Sequence, residues 1–338
     1  MRVLVTGGAG YIGSHTCVEL LQAGYDVTVV DNLCNSSEES LKRVEEITGK
    51  PIEFFKVDVR DEDKLGDVFS KHAFDCVIHF AGLKAVGESV AKPLLYYENN
   101  LGSTIALCKT MLRYNMNKIV FSSSATVYSS DNCMPLSEHS NTGNCSNPYG
   151  WTKYFCEEII RDTVRAHEGF SAVLLRYFNP IGAHMSGLIG EDPSGIPNNL
   201  MPFISQTAIG RREMLSVFGD DYDTPDGTGV RDYLHVVDLA KGHVAALDYL
   251  KDHSGAFVFN LGTGKGSSVM ELIKTFEKVN SVKIPYKITD RRAGDLATVF
   301  ADPSKSEEEL HWKTEKDLED MCRDTWKWQT MNPKGYSK

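Results

Sequence analysis

Tyr149 and Lys153 stand four residues apart, so on a helix the phenol and the ammonium share one face. Such a pair suits proton transfer. A free phenol titrates near pKa ~10 and is a poor base at neutrality; lowering it by about 3 units takes roughly 4 kcal/mol of differential stabilisation. A neighbouring lysine cation favours the phenolate, as does positive charge on a bound hydride acceptor. Tyr-x-x-x-Lys is a common pattern by itself. It gains weight from Ser122-Ser123-Ser124, which ends an apolar strand-like run and puts the Ser124 hydroxyl at a carboxyl strand edge. There Ser124 can bond a reacting hydroxyl and pass its proton to Tyr149. The three side chains predict oxidation of a secondary alcohol, with proton to Tyr149 and hydride to an acceptor. A dehydrogenase, a dehydratase and an epimerase all begin this way, and these residues leave the three open.

The acceptor is read from Thr6-Gly7-Gly8-Ala9-Gly10-Tyr11-Ile12-Gly13, which follows one apolar run and opens a helical one. Gly7 permits the tight turn, Gly10 lets backbone approach a pyrophosphate, and Gly13 lets the helix pack close to a sheet. The helix N-terminus then favours phosphate. Asp31 ends the second apolar run, 18 residues after Gly13. Its carboxylate suits two ribose hydroxyls and repels a 2′-phosphate, so NAD is expected rather than NADP. Lys153 is placed to hold the nicotinamide ribose as well.

These residues need a scaffold. The short apolar runs Arg2–Thr6, Asp26–Val30, Ile52–Val57, Cys76–Phe80, Ile119–Ser123 and Ala172–Arg176 carry no polar alternation. Strands apolar on both faces and separated by helices predict a parallel sheet covered on both sides, with ligands at the carboxyl ends. Helices are expected over Ile12–Gln22, Pro93–Tyr114 and Tyr149–Ala166. Beyond about residue 178 the texture turns to Gly, Pro and Asn. Helices are expected there over Met201–Gly210 and Val236–Leu250, from the capping box Ser268-Val269-Met270-Glu271 to Lys278, and over Glu315–Trp328. The fold class expected is α/β: a Rossmann-type doubly wound parallel sheet with a smaller α/β substrate domain. The division is 1–178 for the dinucleotide and 179–338 for the substrate, partly interleaved, with a strand near Ala256 returning to the main sheet.

Composition narrows the function classes. Lys and Arg total 36 against 46 Asp and Glu, a formal net charge of −10. That balance argues against nucleic acid or an anionic membrane as main partner. With 41% apolar and 24% charged residues the chain is ordinary globular, and no run approaches the ~18 apolar residues of a membrane span. Eight scattered cysteines without a CxxC pair read as reduced thiols of a cytoplasmic protein. Ten histidines include no HExxH or paired-His pattern, so no metal is expected.

The Gly-x-x-Gly-x-x-Gly spacing resembles the extended short-chain dehydrogenase/reductase group. Longer stretches are similar to its UDP-glucose 4-epimerase family: Asp31-Asn32-Leu33, His79–Ser89, Ser122–Tyr128, Leu175–Pro180, Gly190–Pro193, Gly195–Pro202, Gly227–Tyr233 and Trp326–Gln329. They span essentially the whole chain. The resemblance implies an isomerase of galactose metabolism that interconverts UDP-galactose and UDP-glucose through a 4-keto sugar, with NAD as a bound catalyst. It implies catalysis by Ser124, Tyr149 and Lys153. It implies cofactor contacts from Gly7, Gly10, Tyr11, Ile12, Gly13, Asp31, Asn32, Asn35 and Ser36. Asp58 and Val59 fall near adenine; Phe80, Ala81, Gly82, Lys84 and Ser122 also approach the cofactor, Asn99 lies on the nicotinamide side, and Tyr177 and Phe178 pack the nicotinamide. For the UDP-sugar it implies Arg231 and Arg292 on the diphosphate, Asn179 and Asn199 on phosphate and sugar oxygens, and Asp295 on the uridine ribose. Leu200, Leu215, Val217 and Phe218 would flank uracil. A gate position falls on Val299, whose small side chain leaves room for N-acetylated hexoses. The family also implies a homodimer through Pro93–Tyr114 and Tyr149–Ala166. Related dehydratases carry an acidic pair where this chain has Ala125-Thr126, which disfavours elimination of water. A non-catalytic sensor on the same fold usually loses one of the dyad, and both residues are present.

Overall fold

The computed structural model describes residues 1–292 and 294–337. The first half runs β1 (Arg2–Thr6), α1 (Tyr11–Gln22), β2 (Asp26–Asp31), α2 (Glu38–Thr48), β3 (Glu53–Lys56), α3 (Glu62–Lys71) and β4 (Cys76–His79). It continues with α4 (Val86–Ala91), α5 (Pro93–Arg113), β5 (Lys118–Ser124), α6 (Pro148–Ala166) and β6 (Ser171–Tyr177). The second half has β7 (Asn179–Ile181), α7 (Leu200–Ala208), β8 (Leu215–Phe218), β9 (Val230–Arg231), β10 (Tyr233–His235), α8 (Val236–Asp252) and β11 (Ala256–Leu261). It ends with β12 (Ser267–Ser268), α9 (Val269–Asn280), β13 (Tyr286–Thr289), β14 (Thr298–Val299), α10 (Ser304–Glu309) and α11 (Leu318–Met331).

Seven strands form one parallel sheet in the order β11-β6-β5-β4-β1-β2-β3. The pleat sends alternate side chains to opposite faces. Val3 and Val5 of β1 with Cys76 and Ile78 of β4 enter one core cluster, together with Leu20 of α1 and Leu247 of α8. Leu4 and Val77 enter the other, against Leu65 of α3, Leu107 of α5 and Ile160 of α6. Both faces are therefore covered, as the unbroken apolar runs required. The strand order reverses between β1 and β4, which makes their carboxyl ends the crevice of a doubly wound sheet. The two loops there meet closely: Gly7 has φ +73°, and a Cβ on it would lie 2.7 Å from the Ala81 backbone nitrogen.

A third core joins Ile181, Ile204, Leu215, Val217, Leu272, Phe276 and Met321. It is built from α7, α9, α11 and short strands beside the carboxyl end of the sheet. The chain leaves the sheet after β6 and returns as α8 and β11, so the halves interleave. The last helix begins at Leu318, three residues later than expected. Asp238 Oδ2 accepts the backbone N–H groups of Glu315 and Lys316 at 3.0 Å each, which ties that segment to α8 ahead of the helix. Asp317 then caps α11 reciprocally with Asp320. The capping box of Ser268 and Glu271 opens α9 where the sequence placed it.

Candidate active site

A cleft of about 690 Å³ runs along the carboxyl edge of the sheet. Its walls carry Ser124, Tyr149 and Lys153, every residue assigned above to the dinucleotide, and Asn179 and Asn199 of the substrate set.

At one end lies the glycine loop. Gly10 caps α1 without any side-chain hydrogen bond, so the first-turn N–H groups of an uncapped helix line the cleft. A Cβ on Gly13 would collide with the Gly7 carbonyl, whereas one on Gly10 meets only that carbonyl, at 3.3 Å. Gly13 is thus glycine for packing and Gly10 for open approach. Asp31 is buried and accepts from Leu33 N and Ser36 Oγ on Oδ1, both at 2.8 Å, and from Ala9 N on Oδ2 at 3.1 Å. A carboxylate offers about four lone-pair sites, so Oδ2 keeps capacity for a ribose hydroxyl. Asp58 is gripped by Arg60 Nε and Nη2 at 3.0 and 2.8 Å and by Asn32 Nδ2 at 3.0 Å. The Arg60 hydrogen bonds hold its carboxyl well below the usual range.

At the middle of the cleft stands α6. Asn147 caps it by accepting from Gly150 N at 2.9 Å, and Pro148 takes the first helical position, where no N–H is needed. Tyr149 therefore sits in the first turn, at the positive end of the helix dipole. One turn on, Lys153 donates to the Ser122 carbonyl at 2.6 Å. An ammonium has three donors, so two remain for the cleft. Ser124 Oγ accepts from Thr126 N at 3.2 Å and Thr126 Oγ1 at 3.0 Å. With both lone pairs engaged, its proton is the part left to offer. Behind the site, Glu157 of α6 meets Arg176 of β6 through two bonds of 2.9 and 2.6 Å and accepts from Ser123 Oγ at 2.5 Å.

One electrostatic expectation is corrected. Lys153 does not depress the Tyr149 phenol in the chain by itself. Burial pushes that phenol well above its ordinary value, Tyr177 adds to the rise, and the Ser124 hydroxyl opposes it. Burial also pulls the Lys153 ammonium down from 10.5 to about 8, against the pull of Cys156 and Glu157. Desolvation outweighs the pair until a ligand brings charge into the cleft.

The rest of the substrate set lies off these walls. Arg292 stacks over the Phe218 ring at 3.8 Å, and Arg231 Nη2 stands 3.8 Å from Asp295 Oδ1. Val299 of β14 is paired with Arg231 of β9 and packs with Ala125 against Tyr128, Leu136, Phe178 and Ala301. That puts it beside the turn following Ser124. Leu200 is half-buried at the start of α7. Leu215 and Val217 of the same set are 2% and 1% exposed, in the third core. Strand alternation gives the accessible face of β8 to Ser216 and Phe218.

The sequence reading missed other lining residues. Glu191, Asp192, Asn198, Tyr336 and Ser337 line the cleft, and Thr126 fixes Ser124. Asn100 clamps the loop after β4, accepting from Leu83 N at 2.7 Å and donating to Leu83 O at 2.9 Å. The Gly190–Pro193 segment had a motif but no assigned role; nothing in sequence marked Tyr336. Among the described residues, no group of three or more His, Cys, Asp or Glu side chains is placed to hold a metal, and no helix is long and apolar enough to cross a membrane.

Comparison with known proteins decides the lineage. The model of the NAD dependent epimerase/dehydratase family matches residues 3–262. The chain belongs to that family. Within it, UDP-glucose 4-epimerases of Bacillus subtilis and Homo sapiens are each 58% identical, over 336 and 341 residues; the alignments cover 99% of this chain and 99% and 98% of theirs. A UDP-glucose 4-epimerase from Bifidobacterium longum, solved in complex with NAD+ and UDP, superposes with a TM-score of 0.96 at 57% identity, covering 99% of this chain and 100% of that one. The epimerase/dehydratase lineage accounts for a sheet and a second half that match over nearly the whole length.

Proposed function

We propose that the protein interconverts UDP-galactose and UDP-glucose by oxidation and reduction at C4 through a 4-keto sugar. The observation that carries this is one cleft holding Ser124, Tyr149 and Lys153 at one place and an uncapped helix N-terminus with Asp31 at another. Those residues fit a dinucleotide: free first-turn N–H groups for phosphates, open Oδ2 of Asp31 for a ribose, and spare Lys153 donors for a second ribose. When bound, NAD supplies the acceptor, then the donor, of the C4 hydride and brings positive charge beside Tyr149.

The chain's own residues then act as follows. Ser124 donates to the reacting oxygen and fixes it near Tyr149. Tyr149 takes the proton of the 4-hydroxyl as the C4–H bond breaks, and returns it when hydride comes back to the opposite face. Lys153 and the α6 dipole stabilise the phenolate between those steps. Asn179, Asn199, Arg231 and Arg292 anchor UDP while the hexose turns over, so binding energy is held away from the moving ring. The cofactor half is assigned to residues 1–178 with α8 and β11, the UDP half to the remainder. Val299 leaves space beside C2, which extends the substrate class to UDP-N-acetylhexosamines. Apolar side chains on the outer faces of α5 and α6, Leu94 at 80% and Phe155 at 39% exposure, support a homodimer through those helices. Eight free cysteines fit a cytoplasmic protein.

The test is incubation of purified protein with UDP-galactose and no added NAD, following UDP-glucose by NMR, beside Tyr149→Phe. Conversion by the parent and none by the variant is expected. Absence of turnover even with NAD supplied would reject the proposal, and a dehydrated sugar would replace it. The hydrogen bond from Thr126 to Ser124, where a dehydratase carries an acid, weighs against that second outcome.

A further inference from the structure

We propose that Glu191 is a positioning residue for the substrate diphosphate, acting through Asn199; this rests on the function proposed above. Its Oε1 accepts from two sides of the cleft: Lys84 Nζ at 3.1 Å, from the loop after β4, and Asn199 Nδ2 at 2.7 Å, from the start of α7. The carboxylate is 11% exposed, and its Oε2 is buried with no hydrogen-bond partner.

The backbone that carries it is braced from behind. Trp328 Nε1 donates to the Glu191 carbonyl at 3.3 Å, Asp192 accepts from Tyr336 N at 2.8 Å, and Arg43 Nη1 donates to Leu188 O at 2.9 Å. The side chain is thus presented from a fixed position rather than from a free loop.

Asn199 shows what the carboxylate does. It occupies the N-cap of α7, where an asparagine ordinarily turns its side-chain oxygen onto the first-turn N–H groups. Here it makes no such bond. Glu191 holds the amide nitrogen instead, which keeps the second N–H of that group available in the cleft for an anion. Without Glu191, the Asn199 oxygen would turn onto its own helix, and its amide N–H groups would swing out of line with the anion. A bare carboxylate beside a diphosphate would repel it. Lys84 removes that cost by making the pair neutral, so Glu191 orients without opposing the anion.

The test is calorimetric titration of UDP into the holoprotein for the parent, Glu191→Ala, Glu191→Gln, Asn199→Ala and the two double variants. Glu191→Ala is expected to raise the Kd about tenfold, the scale of one lost charge-assisted hydrogen bond. Glu191→Gln, which keeps a carbonyl acceptor, should raise it about threefold. Each double variant should bind no more weakly than Asn199→Ala alone, and in turnover the loss should fall on KM rather than kcat. Bound NAD and the melting midpoint report folding; if Glu191→Ala fails them, the glutamine cycle decides. An unchanged or tighter Kd in the Glu191 variants, or losses that add to that of Asn199→Ala, would overturn the proposal. An unaltered Kd in Asn199→Ala would overturn it while leaving epimerisation intact. A parent that binds no UDP would remove the function reading itself.

Discussion

At the scale of single residues, Lys153 carries an electrostatic signature that stability against pH can read. Its ammonium is buried, and its pKa falls from 10.5 to about 8. Below about pH 8 the folded and the unfolded chain both carry the proton, and folding bears the full cost of burying a charge. Between about 8 and 10.5 the unfolded chain binds more protons than the folded one, so stability rises with pH. The gap corresponds to roughly 3 kcal/mol at most. Lys153→Met is therefore expected to lose that rise. Urea unfolding of the cofactor-free parent and variant at pH 7 and pH 10 checks it; parallel curves would contradict it. Val299 is the second residue with a definite expectation. Val299→Tyr should cut turnover of UDP-N-acetylgalactosamine at least tenfold while sparing UDP-galactose, since added volume acts on the acetamido group alone. Equal rates on the acetylated sugar would leave Val299 a packing residue. Sequence exposed Ser124, Tyr149 and Lys153 because helix periodicity and a strand end fix them locally. It did not expose Glu191, whose partner Lys84 lies 107 residues away. Nor did it show that Leu215 and Val217 turn into the third core, because a four-residue strand does not announce which face is inward.

At the scale of elements, α6 is the part that must not shift, since it carries both members of the dyad. Its fixed points are Asn147 at the start and the Glu157–Arg176 pair in the middle, with those side chains only 1% and 3% exposed. Burial alone would raise the Glu157 carboxyl. Arg176 and Ser123 more than reverse this, and it stays ionised below its usual range. Breaking one partner of a buried pair leaves an uncompensated charge, which costs about 3–5 kcal/mol. Glu157→Gln should lower unfolding stability by about 3 kcal/mol in urea titration; a loss under 1 kcal/mol would show the pair to be dispensable. Most of the parallel strands were legible because their centres are short apolar runs, whereas β3, with Glu53 and Lys56 exposed at its ends, carries only two apolar residues. Helices α2 and α3 were not, because their surfaces are mostly charged and their starts rest on single caps, Ser37 and Asp61. The later start of α11 depends on Asp238, which no local pattern near residue 315 reveals.

At the scale of the whole molecule, the exposed apolar side chains of α5 and α6 are where the proposed homodimer is tested. The rings of Trp151 and Phe155 stack at 5.5 Å on α6, and Tyr97 of α5 lies 6.4 Å from Phe155. Phe155→Glu would put a charge among these exposed rings without touching the core, so if the proposed homodimer uses this face, sedimentation should report a dimer for the parent and a monomer for the variant. A dimer that survives the substitution would place the interface elsewhere. The seventh strand has a different bearing, on how the protein is made. β6 is laid down by residue 177, but the neighbour that covers its far edge, β11, ends only at Leu261. A nascent chain must therefore emerge by some eighty further residues before that sheet has its final border. Until then β6 offers a bare row of backbone donors and acceptors, the kind of edge that pairs with stray strands. Synthesis is safest when translation between β6 and β11 is quick or the interval is shielded by a chaperone, and a chain cut short in that interval is a candidate for aggregation rather than for a working fragment.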